Sequence, residues 1–249
     1  MNVQWLTPQW PAPPAVCALS TQRGGGVSAA PYATLNLGDH VGDLPAVVAE
    51  NRRRLRIAAD LPAEPRGLAQ VPGIRVADLD VDGSSAAADG AHTRRPGRIC
   101  AILSADCLPL LFAAESGEAV AAAHAGWRGL AGGVIEATVR ALTLDPGTLL
   151  AWLGPAIGPR HFEIGAEVRE ELLRGDGGAE AAFTPNARGR FMADLQALAR
   201  RRLARLGIER IYGGGECTFS HPDKYFSHRR DGRTGRQATL IWLKGAANR

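Results

Sequence analysis

The sequence predicts an α+β fold, a single domain in which helices pack on mixed β-sheets. Strand-like and helix-like segments follow one another without the strict alternation that a doubly wound parallel sheet requires. The 249 residues suffice for one large domain or two small ones, and neither an internal repeat nor a linker divides them.

The first part of the chain contains an irregular segment, a strand and a helix. Residues 1–14 are rich in proline, whereas Ala15–Ser20 is apolar enough for a strand. Asp43 is a candidate helix cap, because Pro45 follows where a first helical turn tolerates proline. The resulting helix is expected to run to about Ala58, with one face packed on the protein.

Two apolar runs in the middle of the chain indicate buried strands. They are Arg98–Ser104 and Ala119–His124, and each ends directly before polar residues. A helix is predicted over Leu130–Leu142 and a further strand over Thr148–Leu153. The rigid loop Gly154–Pro159 that follows is expected to form the wall of a pocket.

The last part of the chain is predicted to hold two helices and two strands. A short helix over Gly165–Arg174 precedes a Gly- and Arg-rich exposed loop over 175–190. Asp194 is expected to cap a longer helix, which Gly207 ends. The two predicted strands are Ile208–Tyr212 and Gln237–Leu243.

Composition limits the partners and the location that we expect. The net charge of +4 comes almost entirely from arginine, since Lys224 and Lys244 are the only lysines. Aromatic residues do not interleave with the arginines as a nucleic-acid platform requires, so nucleic acid is not an expected partner. No apolar run suits a membrane span and the first residues do not resemble a signal peptide, so a cytoplasmic location is expected. The four cysteines are scattered, which disfavours a disulfide framework.

Reactive side chains follow the two central strands. Ser104–Cys107 ends the first strand, and His124–Gly129 ends the second. A thiol beside an imidazole can act as a nucleophile, and Cys and His are also common zinc ligands. Cys107 and His124 are therefore the leading catalytic candidates, with Asp106 beside them. The alternative is that they are buried structural residues that happen to end strands.

Arginines indicate two candidate anion sites. Arg128 is expected either to bind a phosphate or carboxylate or to form a salt bridge with Asp106. The second set lies in a Gly-containing loop and consists of Arg229, Arg230, Arg233 and Arg236. His40 lies between two aspartates in Asn36–Asp43, for which a hydrogen-bonded turn is the simpler interpretation. P-loop, dinucleotide-binding, H-E-x-x-H and G-x-S-x-G sequences are missing, which disfavours the enzymes that use them.

Taken together, these stretches resemble the laccase-domain or multicopper polyphenol oxidase family. The same family is also called the FAMIN-like purine nucleoside phosphorylase family and the peptidoglycan editing factor family. The resemblance extends from about Asn36 to about Leu243. The matching stretches are Asn36–Asp43, Gln70–Gly73, Ala88–Asp89, Ser104–Cys107, His124–Gly129, Gly154–Pro159, Phe162–Gly165 and Phe226–Arg236.

The resemblance implies a single-domain α/β sandwich and a mononuclear metal site, usually zinc, bound by two histidines and one cysteine. Cys107 and His124 match two ligands, but the family has Gln-Val-His-Gly where this chain has Gln70-Val71-Pro72-Gly73. Proline has no atom that binds a metal. Three possibilities remain open: a substitute ligand (His92, His40 or Asp89), a metal-free Cys107–His124 pair, or an inactive paralogue. Zinc is the expected cofactor, and copper is disfavoured because the six histidines include no H-x-H pair.

The resemblance also implies an activity. It implies phosphorolysis of adenosine, inosine or methylthioadenosine, and deamination of adenosine, with a purine nucleoside and phosphate as partners. Cys107, Asp106 and His124 are the expected catalytic residues. The expected substrate-binding residues are Asn36, His40, Gln70, Arg128, Arg229 and Arg230.

The sequence does not indicate an oligomeric state. Three alternative functions remain open. The first is a metal-independent Cys–His hydrolase that removes a misincorporated amino acid from a peptidoglycan precursor. The second, copper-dependent oxidation of phenols, is disfavoured by the histidine pattern. The third is binding of a nucleoside without turnover.

Overall fold

The computed structural model describes residues 2–64, 70, 71, 73–82 and 87–245. Pro72 lies outside the described residues. The strands of the described part are β1 (Trp5–Leu6), β2 (Val16–Thr21), β3 (Val76–Asp78), β4 (Gly90–Thr93), β5 (Ile99–Ser104), β6 (Leu108–Ala114), β7 (Val120–Ala125), β8 (Leu149–Leu153), β9 (Glu163–Ile164), β10 (Phe183–Pro185), β11 (Phe191–Ala193), β12 (Arg210–Gly213) and β13 (Gln237–Leu243). The α-helices there are α1 (Pro45–Ala58), α2 (Trp127–Gly132), α3 (Val134–Leu142), α4 (Ala166–Leu173), α5 (Leu195–Arg205) and α6 (His228–Asp231).

The described strands form three sheets. The largest has the order β12-β8-β6-β7-β4-β3 and is mixed, because β12 runs parallel to β8 and β3 runs parallel to β4. A four-stranded sheet has the order β1-β2-β13-β5 and is antiparallel throughout. A small sheet, β10-β11-β9, completes the set. The mixed-sheet prediction is therefore confirmed.

The two larger sheets face each other in the middle of a sandwich. Cys100 and Ile102 of β5 lie in the core between these sheets, whereas the alternate residues Ala101 and Leu103 face a second core on the other side. That second core includes Leu55 of α1. The opposite face of the six-stranded sheet packs against α3 and α5. The layers therefore follow the order helix, sheet, sheet, helices. Because successive side chains of a strand point to opposite faces, the central strands β5 and β7 are buried on both faces.

Several element predictions differ from the structure, which also contains the unpredicted strands β1, β3, β4, β9 and β11 and the unpredicted helix α6. The strand β6, directly after Cys107, was not predicted, although it lies between β7 and β8 in the large sheet. The helix predicted over Leu130–Leu142 is two helices, because Gly133 adopts a φ of 96° and ends α2 before α3 begins. The loop predicted over 175–190 contains a 3-10 helix, Gly177–Ala182, and the strand β10.

The two predicted helix caps have different outcomes. Asp194 caps α5 as predicted, because its Oδ1 accepts hydrogen bonds from the amides of Gln196 and Ala197. Asp43 does not cap α1, which begins at Pro45 without a side-chain cap. Its Oδ2 instead accepts hydrogen bonds from Ser28 and Asn36, so Asp43 joins two loops.

No helix of the described part has the length and apolar character needed to cross a membrane.

Candidate active site

Three adjacent strands place a cysteine, a histidine and an aspartate in one row. Strands β6, β7 and β4 are neighbours, and the pairs Leu108↔Ala125 and Gly90↔Ala123 set their register. Cys107 directly precedes β6, His124 lies near the end of β7, and Asp89 directly precedes β4. The register therefore brings these three side chains to the same edge of the sheet.

The Asp89 carboxylate orients the His124 ring. Its Oδ1 lies 3.0 Å from Nδ1 of His124, and its main-chain oxygen accepts the His124 amide at 2.7 Å. With Nδ1 engaged by Asp89, Nε2 is the ring nitrogen that remains to interact with Cys107. Burial alone lowers the pKa of His124, but the hydrogen bonds to Asp89 and Cys107 outweigh it and raise the pKa to about 10.

Gly126 makes the close contact between Cys107 and His124 possible. It follows β7 directly and lies across from Cys107 in the β6–β7 register. A Cβ atom at this position would lie 3.1 Å from Sγ of Cys107 and 3.3 Å from Cε1 of His124. A side chain here would therefore clash with Cys107 and His124. The backbone itself does not require glycine, because φ of Gly126 is −62°.

Asp106 shapes the turn that presents Cys107. Its φ of 92° is unusual for a residue with a side chain, and the surrounding contacts hold it there. Oδ1 accepts the Thr218 hydroxyl at 2.6 Å, and Oδ2 accepts the Arg229 amide at 2.6 Å. The main-chain oxygen accepts the Ile157 amide at 2.9 Å. Both carboxylate oxygens of this predicted catalytic residue are thus engaged by the protein, which favours a positioning role.

A cavity of about 340 Å³ opens above the row. Arg128 and Arg229, both predicted to bind substrate, lie on its wall. Its lining residues are Asp89, Ala105, Asp106, Cys107, His124, Gly126, Trp127, Arg128, Gly129, Ile157, Phe162, His228 and Arg229. Because Ile157 is among them, the prediction that the Gly154–Pro159 loop forms a pocket wall is confirmed.

Each cavity arginine lies over an aromatic ring. The guanidinium carbon of Arg128 is 4.2 Å from the centre of the Trp127 ring, and that of Arg229 is 5.4 Å from the centre of Phe162. Nη1 of Arg229 also donates to the main-chain oxygen of Glu163 at 2.9 Å. The alternative salt bridge between Arg128 and Asp106 does not occur among the ion pairs of the described residues.

Two predicted substrate-binding residues, Asn36 and Gln70, hold the walls of the site together rather than line the cavity. Asn36 is fully buried, and its Oδ1 accepts the amides of Gly38 at 3.0 Å and Arg236 at 2.9 Å. Gln70 makes a pair of hydrogen bonds with the main chain of Leu103 in β5, at 2.6 and 2.9 Å. Both amides are thereby occupied by the protein.

The other two, His40 and Arg230, also lie away from the cavity lining. His40 is exposed, with Nδ1 3.6 Å from Oδ1 of Asp39. Arg230 pairs with Asp231 at 2.7 Å, and its remaining donors are used inside its own loop. The carbonyl oxygens that accept them belong to Thr218, Phe219 and Tyr225.

Sequence reasoning missed Asp89 as the orienting carboxylate and His228 as a cavity residue. Asp89 appeared only as a substitute metal ligand, although it is 1% exposed and ends a stretch directly before β4. His228 is exposed and lines the rim of the cavity, and no sequence signal distinguishes it, because the lining results from the packing of α6 against the Asp106 turn.

The donors of the described part do not fit the three-ligand zinc site that the resemblance implies. No three His, Cys, Asp or Glu side chains of this part converge on a position for a metal ion. Cys107 and His124 supply two ligands, and Asp89 is bonded to the ring of His124. Neither His40 nor His92 lies among the cavity residues.

A family model described as multi-copper polyphenol oxidoreductase laccase matches residues 17–244. The chain belongs to this family. A purine nucleoside phosphorylase named YfiH from Escherichia coli K12 is 51% identical over 239 residues, which cover 96% of this chain and 98% of the relative. A purine nucleoside phosphorylase from Pseudomonas aeruginosa is 53% identical over 241 residues, with the same coverage of 96% and 98%.

Solved structures of this laccase family have the same fold. The Neisseria meningitidis protein NMB0706 has a TM-score of 0.93 and 45% identity, covering 97% of this chain and 99% of its own. The protein YlmD from Geobacillus stearothermophilus has a TM-score of 0.87 and 31% identity, covering 97% of this chain and 96% of its own.

Proposed function

We propose that this member of the laccase family is a purine nucleoside phosphorylase. The observation that carries the proposal is the Asp89–His124–Cys107 row beneath a cavity that also holds two guanidinium groups. Phosphorolysis needs positive charge near its anionic co-substrate and a proton donor beside the leaving base, and the two guanidinium groups and His124 are suited to these tasks. The naming of relatives that are 51–53% identical over almost their whole length supports the same activity.

The cavity suits a nucleoside in size and lining. Its volume of about 340 Å³ lies in the range of small-molecule sites. Trp127 and Phe162 provide aromatic surface for a purine, and Arg128 and Arg229 hold positive charge against these rings. We infer that the base packs against this wall, with the ribose directed towards Cys107 and His124.

In the proposed reaction a phosphate oxygen attacks C1′ of the ribose. A C1′–O bond forms, the C1′–N bond breaks, and its electron pair leaves with the purine, which takes up a proton. His124 is the group placed to hold or move that proton, because Asp89 fixes Nδ1 and leaves the opposite side of the ring facing Cys107. Ribose 1-phosphate and the free base are the products from adenosine or inosine, and methylthioadenosine gives the 5-methylthio derivative of ribose 1-phosphate.

The proposal includes adenosine, inosine and methylthioadenosine as substrates, since these differ at parts of the molecule remote from C1′. Deamination of adenosine calls for an activated water instead. We expect it to be slow in this chain, because Pro72 has no metal-binding atom and the described residues supply two of the three ligands.

The test is to incubate the purified chain with each nucleoside, with and without inorganic phosphate, and to measure free base and ribose 1-phosphate. Base release that requires phosphate and is lost in His124→Ala supports the proposal. Cys107→Ser is the second test variant. Cys17→Ser is its matched control, because Cys17 lies in β2 away from the cavity. Base release at the same rate without phosphate, or none in any condition, contradicts the proposal.

A second function, a metal-independent hydrolase, is favoured by the order of the same row. The arrangement matches that of cysteine hydrolases, in which a carboxylate orients a histidine base and the base activates a cysteine nucleophile. Here these groups are Asp89, His124 and Cys107. In that case Sγ of Cys107 attacks the carbonyl carbon of an amide substrate, such as a misincorporated residue in a peptidoglycan precursor. The C–N bond breaks, the amine leaves with a proton from His124, and water then hydrolyses the thioester and frees the thiol. Loss of activity with iodoacetamide, together with full activity in a chelator, distinguishes this function when the substrate is an amide.

A further inference from the structure

Arg236 lies beside the turn that carries Asp106 and Cys107. Strand β13 pairs with β5 in antiparallel register, with Gln237 across from Ser104. Arg236 therefore stands across from Ala105, which lines the cavity. Its main chain is fixed at both ends, since its amide donates to Asn36 at 2.9 Å and its carbonyl accepts the Leu37 amide at 3.1 Å.

The guanidinium of Arg236 has no acidic partner in the described part of the chain. Its hydrogen bonds there use Nη1 alone, which donates to the carbonyl oxygens of Thr234 at 3.1 Å and Gly235 at 3.0 Å. Nε and Nη2 therefore retain unused donors. Burial lowers the pKa of Arg236, while the nearby Cys107 and Asp106 favour its charged form. A partly desolvated cation with unused donors next to a reactive cysteine is suited to an anionic ligand.

Gly38 allows this guanidinium to take its place. A Cβ atom on Gly38 would lie 2.8 Å from Cγ of Arg236 and 3.1 Å from its Cβ. The buried hydroxyls of Ser104 and Thr234 have no hydrogen-bond partner in the described structure. Ser104 is the β5 residue next to Ala105, and the carbonyl of Thr234 accepts from Arg236 itself.

The other arginines of the region have different surroundings. The guanidinium groups of Arg128 and Arg229 lie over aromatic rings, and that of Arg230 donates to the main-chain oxygens of Thr218, Phe219 and Tyr225. Arg233 donates to the Tyr32 hydroxyl and to the carbonyl oxygen of Gly42. Among the arginines of this loop, Arg229 also keeps unused donors, but its guanidinium lies over Phe162, whereas Arg236 has unused donors and no aromatic ring against its guanidinium in the described part.

We propose that Arg236 is the residue that binds the phosphate co-substrate beside Cys107. The inference rests on the proposed phosphorylase function and deepens it. The ligand class is a tetrahedral oxyanion, which accepts hydrogen bonds from Nε and Nη2. The stacked arginines then contact the nucleoside, so the two substrates are recognised by separate residues.

The test compares Arg236→Gln and Arg236→Lys with the parent chain, and uses Arg210→Gln as a control for the loss of one positive charge. Arg210 pairs with Glu115 and does not line the cavity. We expect Arg236→Gln to raise KM for phosphate about tenfold or more, while KM for the nucleoside changes less than about threefold. KM for phosphate of Arg236→Lys should lie between the values of Arg236→Gln and the parent chain. Both KM values of Arg210→Gln should equal those of the parent chain.

A second variant guards against misfolding of Arg236→Gln. Gly38→Ala keeps the arginine but displaces its side chain, so it should also raise KM for phosphate. Thermal unfolding establishes that each variant is folded. An unchanged KM for phosphate in folded Arg236→Gln overturns the inference, even if phosphorolysis itself is confirmed.

Calorimetric titration with inorganic phosphate separates this inference from the proposed function. If the parent chain binds phosphate and Arg236→Gln does not, Arg236 is the anion-binding residue whether or not a nucleoside is cleaved. If the parent chain shows no phosphate-dependent turnover but binds phosphate through Arg236, the phosphorylase proposal fails and the binding site stands. A parent chain that binds no phosphate overturns the inference.

Discussion

Gly126→Ala provides a direct test of whether the contact between Cys107 and His124 is required for activity. The new Cβ would lie 3.1 Å from Sγ of Cys107 and 3.3 Å from Cε1 of His124, both closer than ordinary contacts. The backbone of Gly126, with φ of −62° and ψ of 161°, is accessible to alanine. The substitution should therefore disturb the site and leave the fold intact.

The expected magnitude follows from the size of the clash. Cys107 and His124 must each retreat by a few tenths of an ångström to accept the methyl group. A misplacement of about 1 Å costs about 100-fold in rate, so we expect kcat to fall about 3- to 30-fold. The thermal unfolding midpoint should change by no more than about 2 °C, because the substitution removes no hydrogen bond and introduces no strained backbone conformation.

Two assays report this effect independently. One is the rate of phosphate-dependent nucleoside cleavage, and the other is the rate at which iodoacetamide alkylates Cys107, followed by mass spectrometry. Gly177→Ala is the matched control, since a Cβ atom there would meet nothing within 4 Å. Unchanged rates in both assays for a folded Gly126→Ala variant would refute the argument that this glycine sets the geometry of the pair.

Three further predictions concern His124, Arg230 and Pro72. The raised pKa of His124, about 10 against 6.5 for the free side chain, stabilises the fold fully below pH 6.5, and this stabilisation is lost as the pH rises towards 10. Asp89→Asn should therefore lower the unfolding midpoint more near pH 6 than near pH 10, and an equal loss at both would contradict the assignment. Arg230→Met leaves buried carbonyl groups without donors and should cost about 2 kcal/mol, measured as a lower midpoint in denaturant, with Arg210→Gln as the control. Pro72→His should raise the zinc content of the purified protein and the rate of adenosine deamination, and a parent chain already holding one zinc per chain would argue for a substitute ligand.

The local patterns of the chain predicted several elements correctly. The central strands β5 and β7, the cap at Asp194 and the break at the end of α5 all depend on neighbouring residues, so propensity and hydrophobic pattern suffice to predict them. Strand β6 was missed because Pro109 interrupts its apolar run, and proline seldom occurs within a sheet. The division between α2 and α3 depends on one glycine conformation, which the apolar pattern does not reveal.

The candidate site shows the same division between local and long-range information. Cys107 and His124 could be selected from the sequence, because reactive side chains at the ends of buried strands are unusual. The role of Asp89 could not, since it depends on the β4–β7 register, which pairs residues 35 positions apart. Arg236 is a stronger case, because its place beside Ala105 comes from the pairing of β13 with β5 across most of the chain.

The sequence alone determined the mixed α+β class, the two reactive side chains and the proline where the resemblance expects a metal ligand. Only the tertiary structure decided which carboxylate orients His124, which loop arginine keeps unused donors and which predicted residues hold the walls instead of lining the cavity. The physical reason is that the first set depends on residue type and local pattern. The second depends on strand register and on hydrogen-bond partners that are distant in sequence, and neither is encoded in any short stretch of the chain.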